Sequence, residues 1–124
     1  MAVVYKSEIL LDGLRGAVCA QPDSLDGQVA AAARCLVTTF AEALEARRIP
    51  AGENWLTGTA TGEADAEDGA SVLKRIHLRL QLHAPPAARA TVERVHGFYV
   101  AKCPVYKTLA PAVTITSELE FIPG

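Results

Sequence analysis

Residues Ala101–Pro111 read AKCPVYKTLAP, with Cys103 directly before Pro104. Proline cannot continue the helix that precedes it, but it suits the first position of a new one. The stretch therefore predicts one helix ending at Cys103 and a short second helix running through Leu109. At such a junction the cysteine sulfur faces backbone N–H groups and the positive end of a helix dipole, which favours the thiolate. The plainer reading is a small apolar residue buried at a helix junction, because free cysteine is among the most buried residue types. Cys35, in the middle of the chain's other long helix, keeps the chemical reading open beside the plain one.

Upstream of that junction, Pro85-Pro86 opens the helix Ala87–Lys102, whose core stripe is Ala88, Val92, Val95 and Tyr99. Before it, Ser71–His83 has the clearest periodicity in the chain. Ile76, Leu78, Leu80 and Leu82 face one way, and Arg75, His77, Arg79, Gln81 and His83 the other, which is a strand with one wet face. Asn54–Glu63 is a looser, threonine-rich strand, and Ala64–Ala70 reads as an acidic hairpin loop, a solvated turn before a cation site. The other long helix runs from a cap at Ser24 or Asp26 to about Arg48, where Ile49-Pro50 stops it. Its apolar stripe is Val29, Ala33, Leu36, Phe40 and Leu44. A neighbouring face of small and semi-polar residues, Gln28, Ala31, Ala32, Cys35, Thr39 and Glu42, allows another backbone to come close to the sulfur.

At the N-terminus, residues 3–10 form a strand, Asp12-Gly13 a turn, and Leu14–Ala20 a returning strand that carries Cys19. Cys19 reads as a small filler and Arg15 as a surface charge. Downstream of Pro111, Ala112–Ile122 is a final strand with Val113, Ile115, Leu119 and Phe121 on one face and Thr114, Thr116, Glu118 and Glu120 on the other. The order ββαββαβ predicts an α+β fold in a single domain, residues 1–124, with a mainly antiparallel sheet and two long central helices. Two largely apolar helices are a lot for one small sheet to bury, which points to an oligomer whose interface completes the core.

Composition narrows the function classes. The chain is 50% hydrophobic and 21% charged, so it is globular rather than disordered. A net charge of −2 gives no reason to expect nucleic acid or an anionic membrane as partner. No apolar run approaches the ~18–20 residues of a membrane span, and MAVVYKSEILL has no signal-peptide pattern, so a cytoplasmic protein is expected. Three cysteines in a reducing compartment argue against a disulfide framework and for redox or catalytic use. Metal binding has no support: there is no CxxC or HExxH, and His77, His83 and His96 lack ligand spacing. No cofactor is expected.

Three stretches resemble the OsmC family, the osmotically inducible and organic-hydroperoxide-resistance proteins. They are AAAARCLVTTFAEALEARRIP (30–50), IHLRLQLHAPP (76–86), and AKCPVYKTL (101–109) followed by VTITSELEF (113–121). The separation of Cys35 and Cys103 also fits the family pattern, and the resemblance covers roughly residues 28–122. It implies an OsmC-like fold, an intertwined homodimer with active sites at the interface, and thiol-dependent reduction of organic hydroperoxides. Cys35 is then the peroxidatic residue and Cys103 the resolving one, the two condensing to a disulfide that an external dithiol reduces.

The departures from the family lie upstream of Cys35. Members with strong peroxidase activity carry a glutamate there, paired with an N-terminal arginine that stabilises the thiolate. The corresponding stretch here is Ser24-Leu25-Asp26-Gly27, with leucine in place of the glutamate. Asp26, shorter and one position displaced, is the nearest carboxylate, and Arg15 is the candidate arginine on charge alone. A second reading is a non-catalytic dimer of the same fold that binds a small ligand or senses redox state. A third and weaker one is a cysteine hydrolase using His77, His83 or His96.

Overall fold

The computed structural model describes residues 3–12, 25–52 and 55–124. Four strands form one sheet in the order β1 (Val3–Asp12), β2 (Leu56–Glu67), β3 (Ala70–Ala84), β4 (Thr114–Pro123). Helix α1 (Leu25–Glu45) connects β1 to β2. A 3₁₀ turn, Pro86–Ala88, then α2 (Arg89–Lys102) and α3 (Pro104–Leu109) connect β3 to β4. The first two pairings are antiparallel, with Glu8 opposite Thr61 and Gly58 opposite Leu80. The third is parallel, with Leu80 opposite Leu119. A parallel pair needs a crossover connection, and the α2–α3 segment supplies it. The fold is thus α+β with a mainly antiparallel sheet, as expected. The expected returning strand Leu14–Ala20 lies outside the described residues.

One face of the sheet is dry and the other wet. Ile76, Leu78, Leu80 and Leu82 are fully buried under the helices, each worth roughly 1.5–3 kcal/mol of apolar burial. Helix α1 lies over β1 and β2, and α2 over β4. Val29, Ala33, Leu36, Phe40 and Leu44 of α1 are buried together with Val92, Val95 and Tyr99 of α2, the stripes expected from spacing. Ala88 lies only partly within the core. Gly62 of β2 sits beneath Val29, where an added Cβ would run into the valine side chain; this bare backbone is what lets α1 settle onto the sheet. On the wet face Thr57, Thr59 and Thr61 share their side of the sheet with Arg79 and His77.

Several element ends differ from the sequence expectation: α2 starts at Arg89 after the 3₁₀ turn rather than at Ala87, β4 starts at Thr114 rather than Ala112, and two differences have a clear physical cause. The hairpin loop is not Ala64–Ala70. The strands run on to Glu67 and from Ala70, and only Asp68-Gly69 turns, with φ of 51° and 82° at those residues. Asp-Gly with both φ positive is a two-residue turn whose twist matches the flanking strands. Asp65, expected in solvated loop, is a buried strand residue held by Arg75, with Nη2 2.7 Å from Oδ1, while Arg75 Nε reaches Glu63 at 2.8 Å. That guanidinium holds the Asp65 carboxyl below the usual carboxylate range.

Helix α1 also stops at Glu45 rather than about Arg48. Arg48 has φ of 63°, its N–H donates to Glu45 O, and Ile49 N–H donates to Leu44 O at 3.0 Å. This is a Schellman ending, with buried Ile49 supplying the hydrophobic contact. The left-handed position usually belongs to glycine. Arg48→Gly is therefore expected to raise stability by about 0.5–1 kcal/mol in urea unfolding, the relief of left-handed strain exceeding the entropy cost of glycine.

Candidate active site

Cys35 sits on the α1 face beside α2, and Cys103 at the break between α2 and α3. The break is local in origin. Cys103 is extended, with φ −80° and ψ 121°, and Pro104 begins the next helix without needing a hydrogen-bonded N–H. Cys103 N–H closes the end of α2 onto Val100 O at 3.1 Å, and Cys103 O accepts from Lys107 N–H at 3.2 Å. This places the Cys103 Sγ 3.1 Å from the Cys35 Sγ. Both are free thiols, well beyond the ~2.05 Å of a disulfide bond, so oxidation needs about an ångström of approach.

The two sulfurs have different surroundings. Cys35 is partly exposed, whereas Cys103 is fully buried. Burial pushes the Cys103 thiol up, and the backbone N–H groups of Tyr106 and Val105 oppose that push without overcoming it. The expectation that the α3 terminus favours a thiolate at Cys103 is thus reversed, since desolvation outweighs a helix end of one and a half turns. Burial thus favours the neutral thiol at Cys103, and either sulfur of the pair can be the hydrogen-bond donor.

Helix α1, β3 and α3 wall an apolar cleft of about 430 Å³, formed by Ala31, Ala32, Val72, Leu73, Val105 and Leu109 among others, with Gln28 as its polar member. Ala31 and Ala32 stand one turn before Cys35, and Val105 two residues after Cys103, so the cleft is walled by the segments that carry the two sulfurs, although neither cysteine lines it. The small face read on α1 is what leaves this space. Arg34 is exposed next to Cys35. Arg15 and Cys19 lie outside the described residues, as does the side chain of Asp26, although position 26 falls in the first turn of α1.

Behind Cys103 is a polar cluster that spacing did not single out. The Tyr99 hydroxyl is 2.6 Å from Ser117 Oγ on β4, and His96 Nε2 is 3.0 Å from the same oxygen. Both rings pack on Phe40 of α1, with centroids 4.9 Å and 6.1 Å away. Burial pushes the Tyr99 phenol up to about 12, against the Ser117 hydrogen bond, which pulls it down. Burial also lowers the His96 imidazole. The one sequence signal was a serine inside the apolar row Val113, Ile115, Leu119, Phe121. His77 is on the far, wet face, 2.6 Å from Thr116 Oγ1 and 2.9 Å from Glu118 Oε1. His83 is exposed, and no hydrogen bond among the described residues joins a histidine to either thiol, which leaves the hydrolase reading without support.

Cys103 and Tyr99 give a pH signature. Each is held neutral by the fold beyond the pH at which the unfolded chain ionises. The unfolded chain then binds fewer protons, so stability falls as pH rises. For Cys103 the loss begins near the ordinary thiol value of 9.0, and for Tyr99 it spans 10.0 to about 12. Urea midpoints measured from neutral to about pH 11 are expected to drop over that range. The drop should shrink in Cys103→Ser at its lower end and in Tyr99→Phe at its upper end.

The OsmC-like protein family matches residues 19–118, and the chain belongs to that family. No curated protein matches. Among solved structures, the OsmC-like protein from Mycoplasma pneumoniae is 21% identical with a TM-score of 0.64, over 86% of this chain and 79% of that one. An OsmC-like protein of unknown function from Vibrio cholerae is 17% identical with a TM-score of 0.61, over 77% of this chain and 62% of that one. The organic hydroperoxide resistance protein OhrB of Bacillus subtilis is 18% identical with a TM-score of 0.50, over 77% and 67% of the two chains. These likenesses establish a shared fold. No helix among the described residues is long and apolar enough to cross a membrane.

Proposed function

We propose that this chain is a thiol-dependent peroxidase that reduces organic hydroperoxides. The observation that carries the reading is the approach of Cys35 and Cys103 to 3.1 Å, on segments that also wall an apolar cleft. Cys35, the accessible sulfur, attacks the distal peroxide oxygen as thiolate. The O–O bond breaks, the alcohol leaves with a proton, and Cys35 becomes a sulfenic acid. Cys103 then attacks that sulfur, water departs, and a disulfide remains. An external dithiol returns both thiols and is itself oxidised to a disulfide. The cleft takes the alkyl group, for which its lining of alanine, valine and leucine is suited. Arg15 and Asp26 are proposed as the cation that stabilises the thiolate and the carboxylate that holds it. Membership in the family favours a homodimer with these sites at its interface.

The test is reduction of cumene hydroperoxide by the pure protein with excess dithiothreitol. Turnover, with an intramolecular disulfide appearing when the dithiol is withheld, supports the reading. No turnover with both thiols titratable overturns it. The same apolar cleft would then favour a non-catalytic small-ligand-binding protein, whose signature is ligand affinity indifferent to the redox state of Cys35.

A further inference from the structure

Cys103 is held at the break between two helices, yet its sulfur must stay within an ångström or so of bonding distance from a sulfur on another. We infer that Ser117 is the positioning residue for the dithiol, acting through Tyr99 and His96. This rests on the reading of Cys35 and Cys103 as a redox pair, though not on the identity of the oxidant.

Tyr99 and His96 are three residues apart, so they lie on one face of α2, and both reach the single Ser117 oxygen at 2.6 Å and 3.0 Å. A serine hydroxyl donates one hydrogen bond and accepts two, so it can serve both partners together. Tyr99 is fully buried and lies one turn before Cys103. Without Ser117 its phenol would keep a buried O–H with no partner, and the last turn of α2 would shift to find one. Phe40 completes the linkage. It packs edge-on to His96 and tilted against Tyr99, and it stands five residues after Cys35 on α1. The cluster thus ties the β4 backbone, the Cys103 end of α2 and the Cys35 segment of α1 to one another. The Phe40 ring on which the cluster packs forms no hydrogen bond with it, so the hydroxyl at position 117 is what fixes its register.

The measurement is the equilibrium between the Cys35–Cys103 dithiol and glutathione disulfide. Two protein thiols are oxidised to the disulfide, and one glutathione disulfide takes both electrons and protons to become two glutathione thiols. Ser117→Ala is expected to weaken the protein disulfide about tenfold, a shift of ~30 mV toward a more oxidising couple. Ser117→Thr, which restores the hydroxyl, should recover most of it. Leu44→Ala, a core truncation about 13 Å further along α1, should unfold more easily yet leave the equilibrium unchanged. Should Ser117→Ala fail to fold, Tyr99→Phe removes the same hydrogen bond with the ring kept in place, and it should show the same tenfold loss.

An equilibrium within twofold of the unmutated protein in both Ser117→Ala and Tyr99→Phe overturns the inference. So does a failure of threonine to rescue, or an equal loss in Leu44→Ala. A protein that forms no disulfide with glutathione overturns both this inference and the redox reading. Normal disulfide equilibria without hydroperoxide turnover overturn the peroxidase reading alone.

Discussion

Replacing Cys35 by serine is expected to abolish hydroperoxide reduction, lowering the second-order rate constant by on the order of a thousandfold or more. The size of the effect follows from the contrast between the two sulfurs. A serine hydroxyl stays protonated at neutral pH and is a poor nucleophile toward oxygen. Cys103 cannot take over, because it is fully buried and burial holds it as a thiol. The decay of cumene hydroperoxide in a single-turnover mixture checks this directly. Consumption by Cys35→Ser at near the unmutated rate would move the nucleophile elsewhere, and Cys19 would be the next residue to replace.

Cys103→Ser has an effect of comparable size but a different form. The first encounter with peroxide should proceed at nearly the unmutated rate, because the attacking sulfur is untouched. The sulfenic acid on Cys35 then has no neighbour to condense with. Under the proposed mechanism that condensation benefits, in the unmutated protein, from a partner already at 3.1 Å, an advantage in effective concentration that no dissolved thiol matches. Steady-state turnover with a bulky dithiol should fall about a hundredfold or more, with small thiols restoring part of it. Excess peroxide should carry Cys35 on to sulfinic acid and irreversible loss. Mass spectrometry reads the outcome: a dimedone adduct on Cys35 where the unmutated protein gives a disulfide. A variant that cycles normally with a bulky dithiol would remove Cys103 from the resolving role.

The helices and the central hairpin were legible because their residues repeat. Ile76, Leu78, Leu80 and Leu82 alternate without interruption, and Val29 to Leu44 recur at helical spacing, so burial followed from pattern alone. Pro104 marked the α2–α3 break for a covalent reason, independent of tertiary context. The misreadings share a different cause, in that each depended on how a segment packs rather than on its own pattern. Asp65 belongs to an acidic stretch that looks like loop until Arg75, ten residues on, is brought within hydrogen-bond reach of it. Arg48 takes a left-handed conformation that its side chain does not advertise, because Ile49 is drawn under the core. For Cys103, sequence could name the helix end that favours an anion but not the depth of burial that opposes it. Ser117 was visible only as a hydroxyl in a row of apolar residues, and its two partners are on another element. Pairing Cys35 with Cys103 came from family resemblance; periodicity gave no such pairing.

The two cysteines lie in different helical connections of the same sheet, one between β1 and β2, the other between β3 and β4. A bond between them would close a loop spanning 68 positions of the chain. By the loop-entropy relation such a closure restricts the unfolded chain by about 4 kcal/mol. Linkage makes this reciprocal, so whatever the bond adds to the fold, the fold adds to the bond. Chain connectivity thereby turns thermal resistance into a gauge of oxidation state: melting temperature should climb when peroxide is present and fall back when reductant arrives.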